Sequence, residues 1–152
     1  MVWLSIDYFQ YRNEWILIRL FCAGSGIVHS EIPATEDQSV GIQLWINLPK
    51  HLKTTKPSYQ QILSKNLPVT TFEGGYCRTI VGEGSPVELH TDITYQHVKI
   101  EQNKQYQIYI NQGLNAVIYV LSGDIVLAGE TLSSTESLLI KADVFNYFLS
   151  NV

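Results

Sequence analysis

His29 and Glu31 are the residues of this chain whose types and spacing most directly suggest chemistry. Side chains two apart on a β-strand leave from the same face, because the side-chain repeat of a strand is two. An imidazole and a carboxylate converging inside a barrel would suit iron or another divalent transition metal, which accepts mixed nitrogen and oxygen ligands. Two ligands rarely hold such an ion tightly, and exchangeable sites usually offer three protein ligands and an open position. The alternative is a metal-free protein in which His29 and Glu31 hydrogen-bond each other or the backbone in a closed pocket. The remaining histidines, His51, His90 and His97, form no His-x-His pair. His51 stands in a polar stretch and is expected to be solvated. His90 and His97 could meet His29 only through the fold.

The elements that must hold these residues read as short strands. Gln105–Ile110 alternates, with Tyr106, Ile108 and Ile110 on one side and Gln107 and Tyr109 on the other, the pattern of a half-buried strand. Asn115–Leu121 is nearly continuous apolar, as expected for a strand covered on both faces. Ser122-Gly123-Asp124 supplies a turn, and the chain returns through 125–129. Segments near 77–81 and 93–100 continue the rhythm, which points to a sandwich or barrel. Gly24-x-Gly26 and Gly82-x-Gly84 lack the strand, third glycine and helix of a dinucleotide fingerprint, so they are expected to be tight turns. Residues 51–70 are polar and bracketed by Pro57 and Pro68. There Tyr59, Ile62 and Leu63 recur at helical spacing, which predicts a short helical turn inside a connector. Gln43 and Trp45 share a strand with Ile42, Leu44 and Ile46 and are expected to fill the barrel. Phe145, Tyr147 and Phe148 put apolar groups on both faces of the last strand, a candidate edge for a partner chain.

Composition excludes several classes. Only 16% of the 152 residues are charged, against about 25% in an average domain, and the net charge is −4. With no Lys/Arg block, a mildly acidic surface would repel a phosphate backbone, so direct nucleic-acid binding is not expected. Cys22 and Cys77 can build neither a disulfide framework nor a CxxC zinc site and are expected to be buried thiols. The apolar residues of the first twenty positions are interrupted by Asp7, Arg12, Glu14 and Arg19, so neither a secretory leader nor a membrane span is expected. The expectation is a cytoplasmic protein.

Two segments, taken in order, resemble the pirin family of double-barrel cupins. The first is Ala23–Pro33, carrying Gly-x-Gly and then His29-x-Glu31, followed by Gly41-Ile-Gln-Leu-Trp-Ile-Asn-Leu-Pro49; the second is Asn111–Asp124. The polar stretch with Pro57, Ser58, Tyr59 and Gln60 lies between them. The resemblance implies a mostly β fold of cupin β-barrels (double-stranded β-helices): a partial first barrel over residues 1–50, a connector over 51–70 and a second barrel over 71–152. It implies that family members are longer, and that most of the first barrel and some sequence after Val152 are missing. Residues 1–20 match poorly, as a divergent strand or an altered start would.

In pirins a His-x-Glu at this place is half of a three-histidine, one-glutamate metal site, so the resemblance makes His29 and Glu31 metal ligands. The family's other two histidines come from an earlier His-x-His that this chain lacks. Asn115-Ala116-Val117 stands where metal-binding cupins carry His-x-His in the second barrel, which is therefore expected to be scaffold. Two functions follow as expectations. One is a non-catalytic interaction or regulatory module with an incomplete metal site, working through self-association or a protein partner. The alternative is a metal-dependent quercetin 2,3-dioxygenase acting on a flavonoid-like small molecule, with Glu31 also serving as the general base. A partial gene product that persists by self-association overlaps both.

Overall fold

The computed structural model describes residues 3–11, 14–30, 40–141 and 146–151. Glu31 and Phe145 lie outside them. Thirteen strands and two single-turn 3-10 segments (Lys50–Leu52 and Ser64–Asn66) make up the described secondary structure, a mostly β protein as expected. The chain divides into two compact units, one of Met1–Pro68 with Arg78–His97, the other of Val69–Cys77 with Val98–Val152. No helix among the described residues is long and apolar enough to cross a membrane.

The first unit is built on a four-stranded antiparallel sheet. Its strands are β1 (Trp3–Tyr11), β2 (Glu14–Cys22), β3 (Val40–Asn47) and β4 (Ser58–Leu63), in the order β3-β1-β2-β4. Residues from the poorly matching start of the chain thus form the two central strands. They do so by alternation: Ile6 and Tyr8 of β1 and Ile18, Leu20 and Cys22 of β2 all point to one face and are almost completely buried. Leu48, Leu67, Ile80, Val81 and Val87 complete that core. β4 replaces the helical turn expected around Tyr59. Its residues pair with β2 from Leu17↔Leu63 to Cys22↔Ser58, and this ladder outweighs a weak helical spacing.

The second unit contains β8 (Gln105–Tyr109), β9 (Ala116–Tyr119), β10 (Asp124–Leu127), β11 (Glu130–Ser133), β12 (Ser137–Ile140) and β13 (Asn146–Asn151). One sheet runs β11-β10-β13-β8, and β9 pairs with β12. The other strands are β5 (Val69–Phe72), β6 (Gly75–Val81) and β7 (Tyr95–Ile100). Leu127, Ile140 and Leu149 form the buried centre of the second unit, with Tyr106, Ile108, Ile118 and Tyr147 packed around them. Tyr106 also meets Phe72 at 4.8 Å between ring centroids. Cys22 and Cys77 are both free and buried, and burial pushes the Cys77 thiol up.

Two readings of this unit are corrected. β9 is not covered on both faces: Val117 and Tyr119 are exposed, while Ala116 and Ile118 face the core. Nor is β13 an edge, since it pairs with β10 on one side and β8 on the other; Tyr147 turns inward and Phe148 outward. Both strands obey the period of two despite an apolar composition.

Leu127 has no exposed surface, so Leu127→Ala should cost about 2–5 kcal/mol through lost burial and a residual cavity. Amide exchange in β8, β10 and β13 should accelerate accordingly. An unchanged exchange rate there would contradict the packing described.

Candidate functional site

β2 ends at Cys22, where its register with both β1 (Leu4↔Cys22) and β4 (Cys22↔Ser58) runs out. The chain then turns at Gly24 and Gly26. The Ser25 amide donates to Thr55 O (2.8 Å) and the Gly26 amide to Ala23 O (2.7 Å). Gly24 has φ +45°, and a Cβ there would lie 2.1 Å from Thr55 O, so only glycine fits. The Gly-x-Gly motif is therefore a turn, as expected. It delivers His29 into an exposed segment outside any strand, and the period-two argument does not apply at that residue.

His29 nevertheless has a defined seat. Its ring stacks on Phe21 with centroids 4.5 Å apart and planes at 29°, and Phe21 meets Tyr59 at 4.9 Å. The sheet register explains why these aromatics meet. Trp45 and Phe21 are both partnered by Ser5 of β1, and Phe21 by Tyr59, so Trp45, Phe21 and Tyr59 lie in one cross-strand row. The next row is polar: Gln43, Asp7, Arg19 and Gln61 are successive register partners across all four strands. Asp7 is only 2% exposed. A carboxylate so far from water is costly without compensation, and the register sets a guanidinium on the neighbouring strand. The face thus combines an aromatic row, with Trp45 and Tyr59 about half exposed, and a polar row containing one buried acid.

The opposite face of the same sheet holds another polar group. Arg78 Nη1 donates to the Tyr8 hydroxyl at 2.8 Å, and that hydroxyl meets His97 Nδ1 at 3.3 Å. The Tyr8 and His97 rings meet edge-on, 5.6 Å between centroids. Burial pushes the Tyr95 hydroxyl up to about 12, with the neighbouring Tyr8 adding to the shift. His97 therefore engages the face that carries Tyr8, whereas His29 lies over the face that carries Phe21. His51 is exposed in the 3-10 turn and His90 is exposed beyond β6. Among the described residues, which leave out Glu31, no three His, Cys, Asp or Glu side chains come together to hold a metal ion. Of the two expected ligands, the structure places His29 alone.

No family model matches the chain. Among solved structures it resembles a quercetin 2,3-dioxygenase from Acinetobacter baumannii (TM-score 0.86, 22% identity, 99% of this chain and 56% of that one). It also resembles the GK1651 protein of Geobacillus kaustophilus (TM-score 0.80, 22% identity, 97% of this chain and 65% of that one). The chain therefore shares the cupin-type β fold of these structures. Mouse pirin is 35% identical over 109 residues, 69% of this chain and 38% of that protein. Human pirin is 33% identical over the same span, and a pirin-like protein of Arabidopsis thaliana 37% over 109 residues, 66% of this chain and 35% of its own. The chain belongs to the pirin family, and it spans about two fifths of the length of the mouse and human pirins it matches.

Asp7 and Arg19 are the site residues that sequence reading missed, because they registered only as charges interrupting an apolar run. Their signal was available. Each is flanked by a buried pair, Ile6/Tyr8 and Ile18/Leu20, which is the signature of a polar residue on the second face of a strand.

The Tyr95 shift carries a pH consequence. A phenol whose pKa is higher in the folded state contributes fully below about pH 10, the value for an exposed tyrosine, and its contribution is lost as pH rises to about 12. The loss should be on the order of 2 kcal/mol. All three tryptophans lie in the first unit, so tryptophan-monitored urea unfolding should report it. Tyr95→Phe should flatten the stability profile between pH 10 and 12; a variant as alkali-sensitive as the parent would refute the assignment.

Proposed function

We propose that this pirin-family chain is a non-catalytic interaction module that works through contacts with other protein chains, a second copy of itself among them. The observation that carries this reading is the outward face of the β9–β12 pair. Val117 and Leu139 are direct register partners, Tyr119 follows two residues on, and all three are more than half exposed. Three large apolar side chains side by side on one sheet surface are the kind of patch that marks a protein contact. The seating of His29 on Phe21 supports the same reading, because stacking on an aromatic ring gives the imidazole a role that needs no metal.

Sedimentation of the purified protein should show a dimer or larger species. Val117→Glu combined with Leu139→Glu should shift it toward monomer while leaving the circular dichroism spectrum unchanged. A parent protein that sediments as a clean monomer would remove self-association. Stoichiometric, tightly held iron in the purified protein would remove the non-catalytic reading.

A second reading is favoured by the likeness to the Acinetobacter quercetin 2,3-dioxygenase structures. It requires His29 and Glu31 as ligands of a divalent metal, with Glu31 accepting the proton of a flavonol hydroxyl. Loss of flavonol absorbance on incubation with quercetin and added Fe, Mn, Co or Ni, abolished in His29→Ala, would support it. Absence of turnover with all four metals would end it for this chain.

A further inference from the structure

In the first unit's sheet, β3 has β1 on one side and no strand on the other among the described residues. Its ladder with β1 runs unbroken from Trp3↔Asn47 to Gln10↔Val40, so the strand is regular throughout. One alternate set of its backbone amides and carbonyls faces β1, and the other set points away from the sheet. Such a row is a template for a further strand, and sheets commonly blunt it with a charge, a proline or a bulge. Val-Gly-Ile-Gln-Leu-Trp-Ile-Asn carries none of the three.

The strand at the opposite edge is treated differently. Gln60 Nε2 of β4 donates to Glu88 O at 2.7 Å, and the Glu88 amide donates back to Gln60 Oε1 at 3.1 Å, which holds another segment against that strand. At β3, Val40 and Trp45 are about half exposed and Leu44 is 37% exposed. Leu44 partners Ile6 and so belongs to the core face, whereas Trp45 partners Ser5 and belongs to the face of Phe21. Apolar surface is therefore open on both sides of this one edge.

The residues of β3 select its occupant. When a strand pairs with a copy of itself across a twofold axis, residues near the axis face themselves, and a charge there would oppose its own like. None of the residues of β3 is charged, although the chain carries a net charge of −4. Opposite residues must also share a face. An antiparallel pairing centred on Leu44 meets that condition: Leu44 faces itself, Ile42 faces Ile46, and Gln43 faces Trp45. Centring on Gln43 would instead set the half-exposed Trp45 against Gly41, which has no side chain to cover it.

We propose that two copies of this chain pair antiparallel along β3, about an axis at Leu44, and join their four-stranded sheets into a single sheet. The pairing rests on the reading of the chain as one that binds a second copy, and it adds a contact on the first unit to the β9–β12 face. The test uses the full chain carrying Val117→Glu and Leu139→Glu, which removes the β9–β12 contact. That variant should sediment as a dimer where the parent forms a larger species, and its β3 amides should exchange more slowly as protein concentration rises. Leu44→Cys added to it should cross-link on mild oxidation with copper phenanthroline, because position 44 then lies about 5 Å from its own copy. Val40→Cys should not cross-link, since position 40 lies about 26 Å from its own copy along the paired strands. Leu44→Lys would set like charges opposite each other and should raise the dimer dissociation constant about fivefold or more, with an unchanged circular dichroism spectrum. A double variant that is monomeric while the parent is not would overturn the β3 pairing and leave the β9–β12 contact standing; a monomeric parent would overturn both. Cross-linking through Val40→Cys but not Leu44→Cys, or a dimer indifferent to Leu44→Lys, would equally overturn the pairing.

Discussion

Everything in the first unit depends on the register of β1 with β2. Asp7 faces Arg19, and the neighbours of each, Ile6 and Tyr8 against Leu20 and Ile18, therefore fall on the other side of the sheet. A slip of one residue would turn Asp7 and Arg19 into the core and bring the isoleucines and Leu20 out. Each of those aliphatic side chains is worth about 1.5–3 kcal/mol buried, so the slipped pairing loses several kcal/mol before the cost of the buried charges is added. Because β3 and β4 pair with the two central strands, the same register also sets which of their residues share a row. The aromatic row, the polar row and the packed core on the far face are consequences of one alignment.

That dependence explains what could be read from the sequence. Where one face is buried and the alternation is clean, as in Tyr106, Ile108 and Ile110, the strand was legible and its bounds nearly correct. Asn115–Leu121 misled because its outward residues, Val117 and Tyr119, are themselves apolar. Composition says nothing about which of two apolar faces is covered. At Tyr59, Ile62 and Leu63 a helical spacing competed with a strand of alternating exposure, and the deciding factor was a ladder partner forty residues away in sequence. Tertiary pairing of that kind is invisible in a short window.

The site was legible as a motif and not as a geometry. His29-x-Glu31, the Gly-x-Gly turn and the Gly-Ile-Gln-Leu-Trp strand are local patterns, and they pointed to the pirin family that mouse and human pirin support. The assumption that His29 lies on a strand came from spacing alone. The structure places it beyond the last rung of β2, in a segment set by a turn that only glycine can make. Asp7 and Arg19 contribute to the same face and carry no motif, so their proximity is a product of register.

The two faces of this sheet have been given different work. The face with His29 carries the half-exposed rings of Trp45 and Tyr59 on either side of the buried Phe21, and a polar row across four strands. The other face is apolar, and its polar groups are tied down: Tyr8 between Arg78 and His97, and the backbone of Glu88 by the Gln60 amide. A buried hydroxyl with two partners resists rearrangement, because losing either leaves an unsatisfied group away from water. Those bonds fix the segments that close over Leu20 and Leu48, which are almost completely buried. Variation on the His29 face is therefore tolerable to the fold in a way that variation around Tyr8 is not.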